Sequence, residues 1–284
     1  MHDSLELLHA VNAYRLVIPT QPATGRSGEL LGRSAGSSLE FRDYREYAPG
    51  DDVRHLDWAA FARSDALMVR LYREEVSPQT EVLLDGSRSM DTNNAKRETA
   101  RQLAAAFALW SSQVGGVGTV TVLDDSPAIR RIPANEIDRL ADCPFDGRAP
   151  LNAAVLSGGL ALRRQSLRMI VSDFLFDADP QPVIRKCADG AGALWVLQLL
   201  TRQEADPSAL GGRRLTDLET GDEADLFLNE ATISEYRRRL KTLQDDLQAV
   251  CRKVRARFVV LIAETGLREL CRSDLCAARM IEPV

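Results

Sequence analysis

Between Glu81 and Met90 the chain reads EVLLDGSRSM, an aliphatic run that ends in a carboxylate and two spaced hydroxyls. A tight turn leaving a strand can aim alternate residues, here Asp85, Ser87 and Ser89, at one point. Such an oxygen-only set suits a hard divalent cation, Mg²⁺ or equally Mn²⁺. One carboxylate with two hydroxyls supplies little negative charge, so the ion stays electrophilic and an acidic group from another molecule can complete its shell. The plainer reading is that Ser89 or Asp91 caps the helix that follows. On these three positions alone the two readings stand level.

Enzyme chemistry requires more than this stretch offers. A phosphohydrolase of the haloacid dehalogenase type also puts an aspartate at the end of a first strand. It needs a second one two positions later, where this chain has Ser87, and no later lysine in a recognisable loop restores the pattern. A serine hydrolase wants G-x-S-x-G and a histidine partner. The only histidines are His2, His9 and His55, too dispersed for a triad or a metal site. A phosphohydrolase using Asp85 with Mg²⁺ is the alternative activity to weigh.

The elements that must position these residues follow from the hydrophobic pattern. Residues 3–14 predict an amphipathic helix and 19–38 a Gly/Ser/Pro-rich loop. From Leu39 to Val76, charges of both signs alternate with aromatics around a Pro49-Gly50-Asp51 turn, which predicts short strands and turns. Strands are expected at 80–85, 166–174, 192–200 and from Phe258, with a hairpin joining GTVTVLDD to AIRRIP through Asp125-Ser126-Pro127. Helices are expected at 95–113, 136–142, 151–164, 180–188, 233–257 and 267–278, and a small strand excursion over 213–228.

Alternating elements with nearly continuous apolar strands predict an α/β fold, a doubly wound, mostly parallel sheet with helices on both faces. A strand- and turn-rich N-terminal segment precedes it. Three regions result: 1–38, a helix and loop; 39–78, packed on the main domain; and 79–284, the α/β domain. Ligands bind such sheets beyond the carboxyl ends of the strands. Asp85 and Asp173 both fall there.

Composition narrows the function classes. The 284 residues carry a formal net charge of -5, which gives no pull toward nucleic acid or anionic membrane. Arg237-Arg238-Arg239 lies among acidic residues and reads as a solvated helix face. Cys143, Cys187, Cys251, Cys271 and Cys276 show no C-x-x-C spacing, which predicts reduced core thiols. No basic flank with a long apolar core marks a signal peptide, and no apolar run is long enough to span a bilayer. The expected location is the cytoplasm, without membrane insertion.

Two motifs carry a family resemblance. Asp85-x-Ser87-x-Ser89, with VSDF at 171–174 downstream, resembles the metal-ion-dependent adhesion site of von Willebrand factor A domains. The segment GSSLEFRDYREYAPGDDVRHLDWAAFARSDALMVRLYREE resembles the hallmark of domain-of-unknown-function family 58. That pattern, R-x-Y-x-x-G-D-D-x-R-x-[IL]-D-W followed by A-R, is matched by Arg45, Tyr47, Gly50, Asp51, Asp52, Arg54, Leu56, Asp57, Trp58, Ala62 and Arg63. LTDLETGD at 215–222 and the closing helix and strand are similar as well, so the likeness runs over about residues 25–280.

The resemblance implies a von Willebrand factor A-like domain with Asp85, Ser87 and Ser89 in the first ligand loop and Asp173 in the third. The second loop departs from the pattern. Ala149 or Pro150 stands where related domains present a threonine, and nearby Asn152 is the substitute within reach. Losing that hydroxyl weakens the expected Mg²⁺ or Mn²⁺ binding without touching the fold; a metal-independent scaffold of the same fold is the further alternative. The resemblance also implies a non-enzymatic protein-interaction module acting with a MoxR-type AAA+ ATPase on an unidentified client. In the hallmark segment, Arg54, Arg63, Arg70, Asp57, Glu74 and Glu75 are read as a structural ion-pair network, with a Trp excluding water.

Overall fold

Val82, Leu83 and Leu84 are at most 1% exposed, the burial of a strand covered on both faces. They lie in a computed structural model that describes residues 2–18, 39–48, 56–64, 66–74, 79–126, 129–207, 211–216 and 223–284. The elements begin with α1 (His2–Ala13), β1 (Tyr14–Leu16), β2 (Leu39–Glu46), α2 (Trp58–Ser64), β3 (Met68–Glu74) and β4 (Gln79–Asp85). There follow α3 (Asn94–Gln113), β5 (Val117–Leu123), β6 (Arg130–Pro133), α4 (Leu151–Leu156), β7 (Leu167–Ser172) and α5 (Gln181–Ala188). The remainder is β8 (Ala193–Leu200), α6 (Arg202–Ala205), β9 (Gly211–Thr216), β10 (Glu223–Leu228), α7 (Glu230–Lys253), β11 (Arg257–Ile262), α8 (Leu267–Leu270) and β12 (Ile281–Pro283).

Six strands form the central sheet in the order β11-β8-β7-β4-β5-β6. All pairs are parallel except β5 with β6. From β4 the chain moves outward to β5 and β6, then returns to the other side of β4 as β7. The order therefore reverses at β4, and the carboxyl ends of β4 and β7 border the switch point. Alternation along the strands splits the core. Val82, Leu84, Met169 and Val171 pack with Leu103, Phe107 and Trp110 of α3, whereas Leu83 and Ile170 pack with Val183 of α5 and Leu247 of α7. This is the doubly wound α/β arrangement expected from the sequence.

Helix α3 starts where Asn93 accepts the Lys96 amide at 2.7 Å, and its small residues let it approach β5 closely. A Cβ on Gly118 would lie 2.1 Å from the Ala108 carbonyl oxygen, so only glycine fits there.

Several elements depart from expectation. The helix expected over 151–164 stops at Leu156, because Ser157-Gly158-Gly159 follows and Gly158 takes φ +88°. The 136–142 helix is a 3₁₀ segment spanning Ala134–Asp142. The 267–278 helix widens into a π turn over Cys271–Leu275. Short strands β1 and β12 pair antiparallel, a contact between the chain's two ends that local pattern does not reveal. The hairpin of β5 with β6 and the β9–β10 excursion are present as expected. All five cysteines are free, four of them buried. Arg238 and Arg239 pair with Glu235, and Arg237 with Asp206, on an exposed face of α7. Among the described residues no helix is long and apolar enough to cross a membrane.

The chain divides into two units, Thr24–Ser77 and the remainder. In the smaller one, β2 and β3 pair antiparallel with a register shift between Phe41 and Asp43. Asp57 caps α2, its Oδ1 accepting the Ala59 and Ala60 amides at 2.9 and 3.0 Å while Oδ2 accepts the Tyr44 hydroxyl at 2.8 Å. Asp57 is thus a capping residue as well as an acid. Trp58 does not shield it, because its side chain is 64% exposed and meets Phe61 edge-on. The 19–38 loop, the Pro49-Gly50-Asp51 turn, Asp52, Arg54, His55, Glu75, Pro127 and most of LTDLETGD lie outside the described residues.

Candidate functional site

Asp85 is the last residue of β4 and is 1% exposed. Its Oδ1 accepts the Ser87 amide at 3.0 Å and its Oδ2 the Ser172 hydroxyl at 2.6 Å. Burial, reinforced by the charge of Asp173, pushes its carboxyl up to about 6 despite these hydrogen bonds. The turn that follows is pinned to the segment before α4. Gly86 donates to Leu123 O, Gly147 to Gly86 O and Arg88 to Gly147 O. A Cβ on Gly147 would sit 2.9 Å from Gly86 O, so glycine is what lets the two turns touch.

The capping alternative does not hold. Asn93 caps α3, Asp91 pairs with Arg97 at 2.8 Å, and the Ser87 and Ser89 hydroxyls lie 3.0 Å from each other. Neither serine hydroxyl caps α3, and the two meet each other on the turn. Asp173 follows β7 and is 2% exposed, and its Oδ1 accepts the Leu175 amide at 3.0 Å. Phe174 takes φ +57°, a left-handed conformation that is unfavourable for a bulky residue. Its amide is held by Ser172 Oγ at 3.0 Å, so Ser172 fixes both the Asp85 carboxylate and the bend carrying Asp173.

Asp173 Oδ2 is already occupied by a cation belonging to the chain. Lys96 Nζ lies 2.8 Å from it, 2.9 Å from Ser89 O, and 2.8 and 2.9 Å from the two carboxylate oxygens of Glu204. The lysine is completely buried. Glu204 is fixed in turn by a capping box with Thr201 on α6, while Tyr236 donates to its backbone carbonyl at 2.7 Å. Burial, then the charges of Glu204 and Asp173, push the Tyr236 hydroxyl up to about 12, so it remains a neutral donor.

Sequence reasoning missed Lys96 and Glu204. A phosphohydrolase lysine is expected in a loop, whereas Lys96 sits on a helix. A signal was present: Lys96 shares the stripe of Ala100, Leu103 and Phe107, all fully buried, at helical spacing. A lysine on that stripe must find buried acids.

These residues match a divalent cation in donor type, but one of the four is already engaged. Asp85, Ser87 and Ser89 share one turn, yet Asp173 holds an ammonium that a metal on that carboxylate would have to displace. The second loop supplies no hydroxyl at Ala149 or Pro150. Arg148 and Ala149 N–H groups donate to the Asp125 carboxylate at 2.6 and 2.7 Å. Asn152 Oδ1 is buried without a hydrogen-bond partner. Among the described residues no three His, Cys, Asp or Glu side chains are grouped as metal ligands. The residues present do not fit a complete divalent-metal site.

Fold and site together define an α/β protein with an anionic, hydroxyl-lined cluster at the switch point of a doubly wound sheet. The chain belongs to the family described as Protein of unknown function DUF58, which matches residues 43–246. It is 26% identical over 250 residues to uncharacterized proteins of Mycobacterium tuberculosis and Mycobacterium bovis, covering 83% of this chain and 78% of those. Among solved structures it is similar to an aerotolerance-related membrane protein from Bacteroides fragilis, with TM-score 0.32, 13% identity and coverage of 63% of this chain and 98% of that one. The conserved hypothetical protein BatB from Bacteroides thetaiotaomicron gives TM-score 0.33, 13% identity and coverage of 62% and 99%.

Proposed function

We propose that this chain is a non-enzymatic docking module of the von Willebrand factor A type, with a degenerate adhesion site as its contact face. It works in the cytoplasm with a MoxR-type AAA+ ATPase on a client protein; the partner and location rest on the family resemblance and the reduced thiols. The observation that carries the docking reading is the convergence of Asp85, Ser87, Ser89 and Asp173 at the carboxyl edge of β4 and β7.

Two features favour docking over phosphoryl chemistry. Both Asp85 oxygens accept hydrogen bonds in a closed environment, which leaves a poor nucleophile. The cluster also sets three carboxylates, of Asp85, Asp173 and Glu204, against the single ammonium of Lys96, a balance that repels a phosphate dianion.

The test measures binding of the purified MoxR-type ATPase from the same organism to wild type, Arg88→Glu and Ser89→Tyr. The two substitutions alter half-buried positions on the turn beside the cluster. Both are expected to weaken the complex by about tenfold or more, roughly 1.4 kcal/mol, with unchanged circular dichroism. Undiminished binding by folded variants would reject this face as the contact. Phosphomonoester hydrolysis by wild type that disappears in Asp85→Asn would replace docking by the hydrolase alternative.

A further inference from the structure

We propose that the Lys96 ammonium is the resident cation of this site, standing in for a divalent metal and making the site metal-independent. The inference rests on reading the Asp85 cluster as a degenerate adhesion site, and goes further by naming what fills it.

The lysine takes one of the four expected ligands, Asp173, into its own shell. Its shell is all oxygen: a backbone carbonyl of the first loop at Ser89, the carboxylate of the third loop at Asp173, and both oxygens of Glu204. An ammonium has three N–H groups, and these three partners use all of them. It is delivered by α3, whose start is fixed by the Asn93 cap three residues earlier, so its stem enters through the helix-covered side of the sheet. Glu204 supplies two further oxygens to the ammonium, which hold it beside Asp173. Elsewhere the second loop is held by the Arg148 and Ala149 amides, which donate to the Asp125 carboxylate. Of the first-loop residues, Ser89 is partly exposed, while Asp85 and Ser87 are buried behind it. A partner meeting this face would contact the half-buried rim at Arg88 and Ser89, and would not donate a ligand to a metal.

Calorimetric titration of the full chain with Mg²⁺ and Mn²⁺ tests this without any partner. Wild type should show no saturable binding up to about 1 mM, the weak end of oxygen-ligand sites. Saturable wild-type binding at lower concentrations overturns the proposal. Lys96→Met removes the ammonium and keeps most of its volume. It should gain metal affinity by about tenfold or more, and lose it again in the Lys96→Met/Asp85→Asn double variant. A folded Lys96→Met that gains nothing also overturns it. Where Lys96→Met folds only with Mg²⁺ present, metal-dependent melting replaces calorimetry and supports the proposal; where it folds in neither condition, the wild-type titration decides. ATPase binding by wild type in chelator and in Mg²⁺ separates the two ideas. Equal binding supports both, metal-dependent binding rejects only the resident-cation proposal, and failure to bind in either condition rejects only the docking partner.

Discussion

Glu81 and Arg168 face each other near the amino ends of β4 and β7, while Asp85 and Asp173 stand at the carboxyl ends of the same two strands. Both ends are buried and charged, but they are finished differently. At the amino end one guanidinium meets one carboxylate, with Arg168 Nε 3.5 Å from Glu81 Oε2. That separation makes an ion pair but no hydrogen bond, and the Nε–H has no other partner. The other guanidinium nitrogens donate to Cys187 O, Asp189 O and Arg163 O at 2.6–2.8 Å. Glu81 Oε2 also accepts the Arg163 amide and the Ser166 hydroxyl, each at 2.9 Å.

The amino-end cluster is charge-balanced and closed by local backbone. At the carboxyl end, carboxylates outnumber the ammonium, and the Ser87 and Ser89 hydroxyls pair beside Asp85. Burial alone therefore does not mark a functional cluster. The charge balance is what separates the two ends.

The largest expected effect comes from removing the cation at each end. Lys96→Met and Arg168→Met should each cost about 3–5 kcal/mol in urea denaturation, because each strands buried acid. The comparison is sharpened by adding Mg²⁺, which should recover stability in Lys96→Met and none in Arg168→Met. Equal response of the two variants would erase the distinction drawn between the two ends.

Next in size is Asp85→Asn. The folded carboxyl is raised from 3.8 to about 6, so the folded chain holds this proton more tightly than the unfolded chain does. Stability is then fully present below about pH 4 and is lost as pH rises toward 6. The amide removes that loss: the variant should be more stable than wild type by roughly 3 kcal/mol at pH 7 and by little at pH 4. Parallel pH–stability curves for the two proteins would show that Asp85 does not carry this burden.

Ser87→Ala should cost about 1 kcal/mol, the worth of one hydroxyl–hydroxyl bond. Thermal melting reads this, and a loss as large as that of Lys96→Met would mean the serine is part of the closed framework. The smallest effect is expected from Ala149→Thr, within about 0.5 kcal/mol in wild type. In a Lys96→Met background it should tighten Mg²⁺ binding if the restored hydroxyl reaches the ion, which calorimetry measures directly.

Much of this site was legible because its residues lie at strand ends. VLLD and MIVSD each announce a buried strand and its carboxyl terminus, and a doubly wound sheet brings such ends together. The absent hydroxyl at Ala149 was equally a matter of counting along the chain. Helix ends were less legible where glycine or a wide turn intervened, as at Gly158 and over Cys271–Leu275.

The sequence by itself determined the α/β alternation, the family and the four residues Asp85, Ser87, Ser89 and Asp173. Each of those signals is local, resting on strand periodicity and on short spacings. Only the tertiary structure decided what the carboxylates hold. Lys96 lies 77 residues from Asp173 and 108 from Glu204, and no spacing rule connects them. They meet because α3 packs across the sheet with Lys96 on its buried stripe and because α6 starts just beyond β8. A buried charge must be answered by whichever opposite charge the packing brings near.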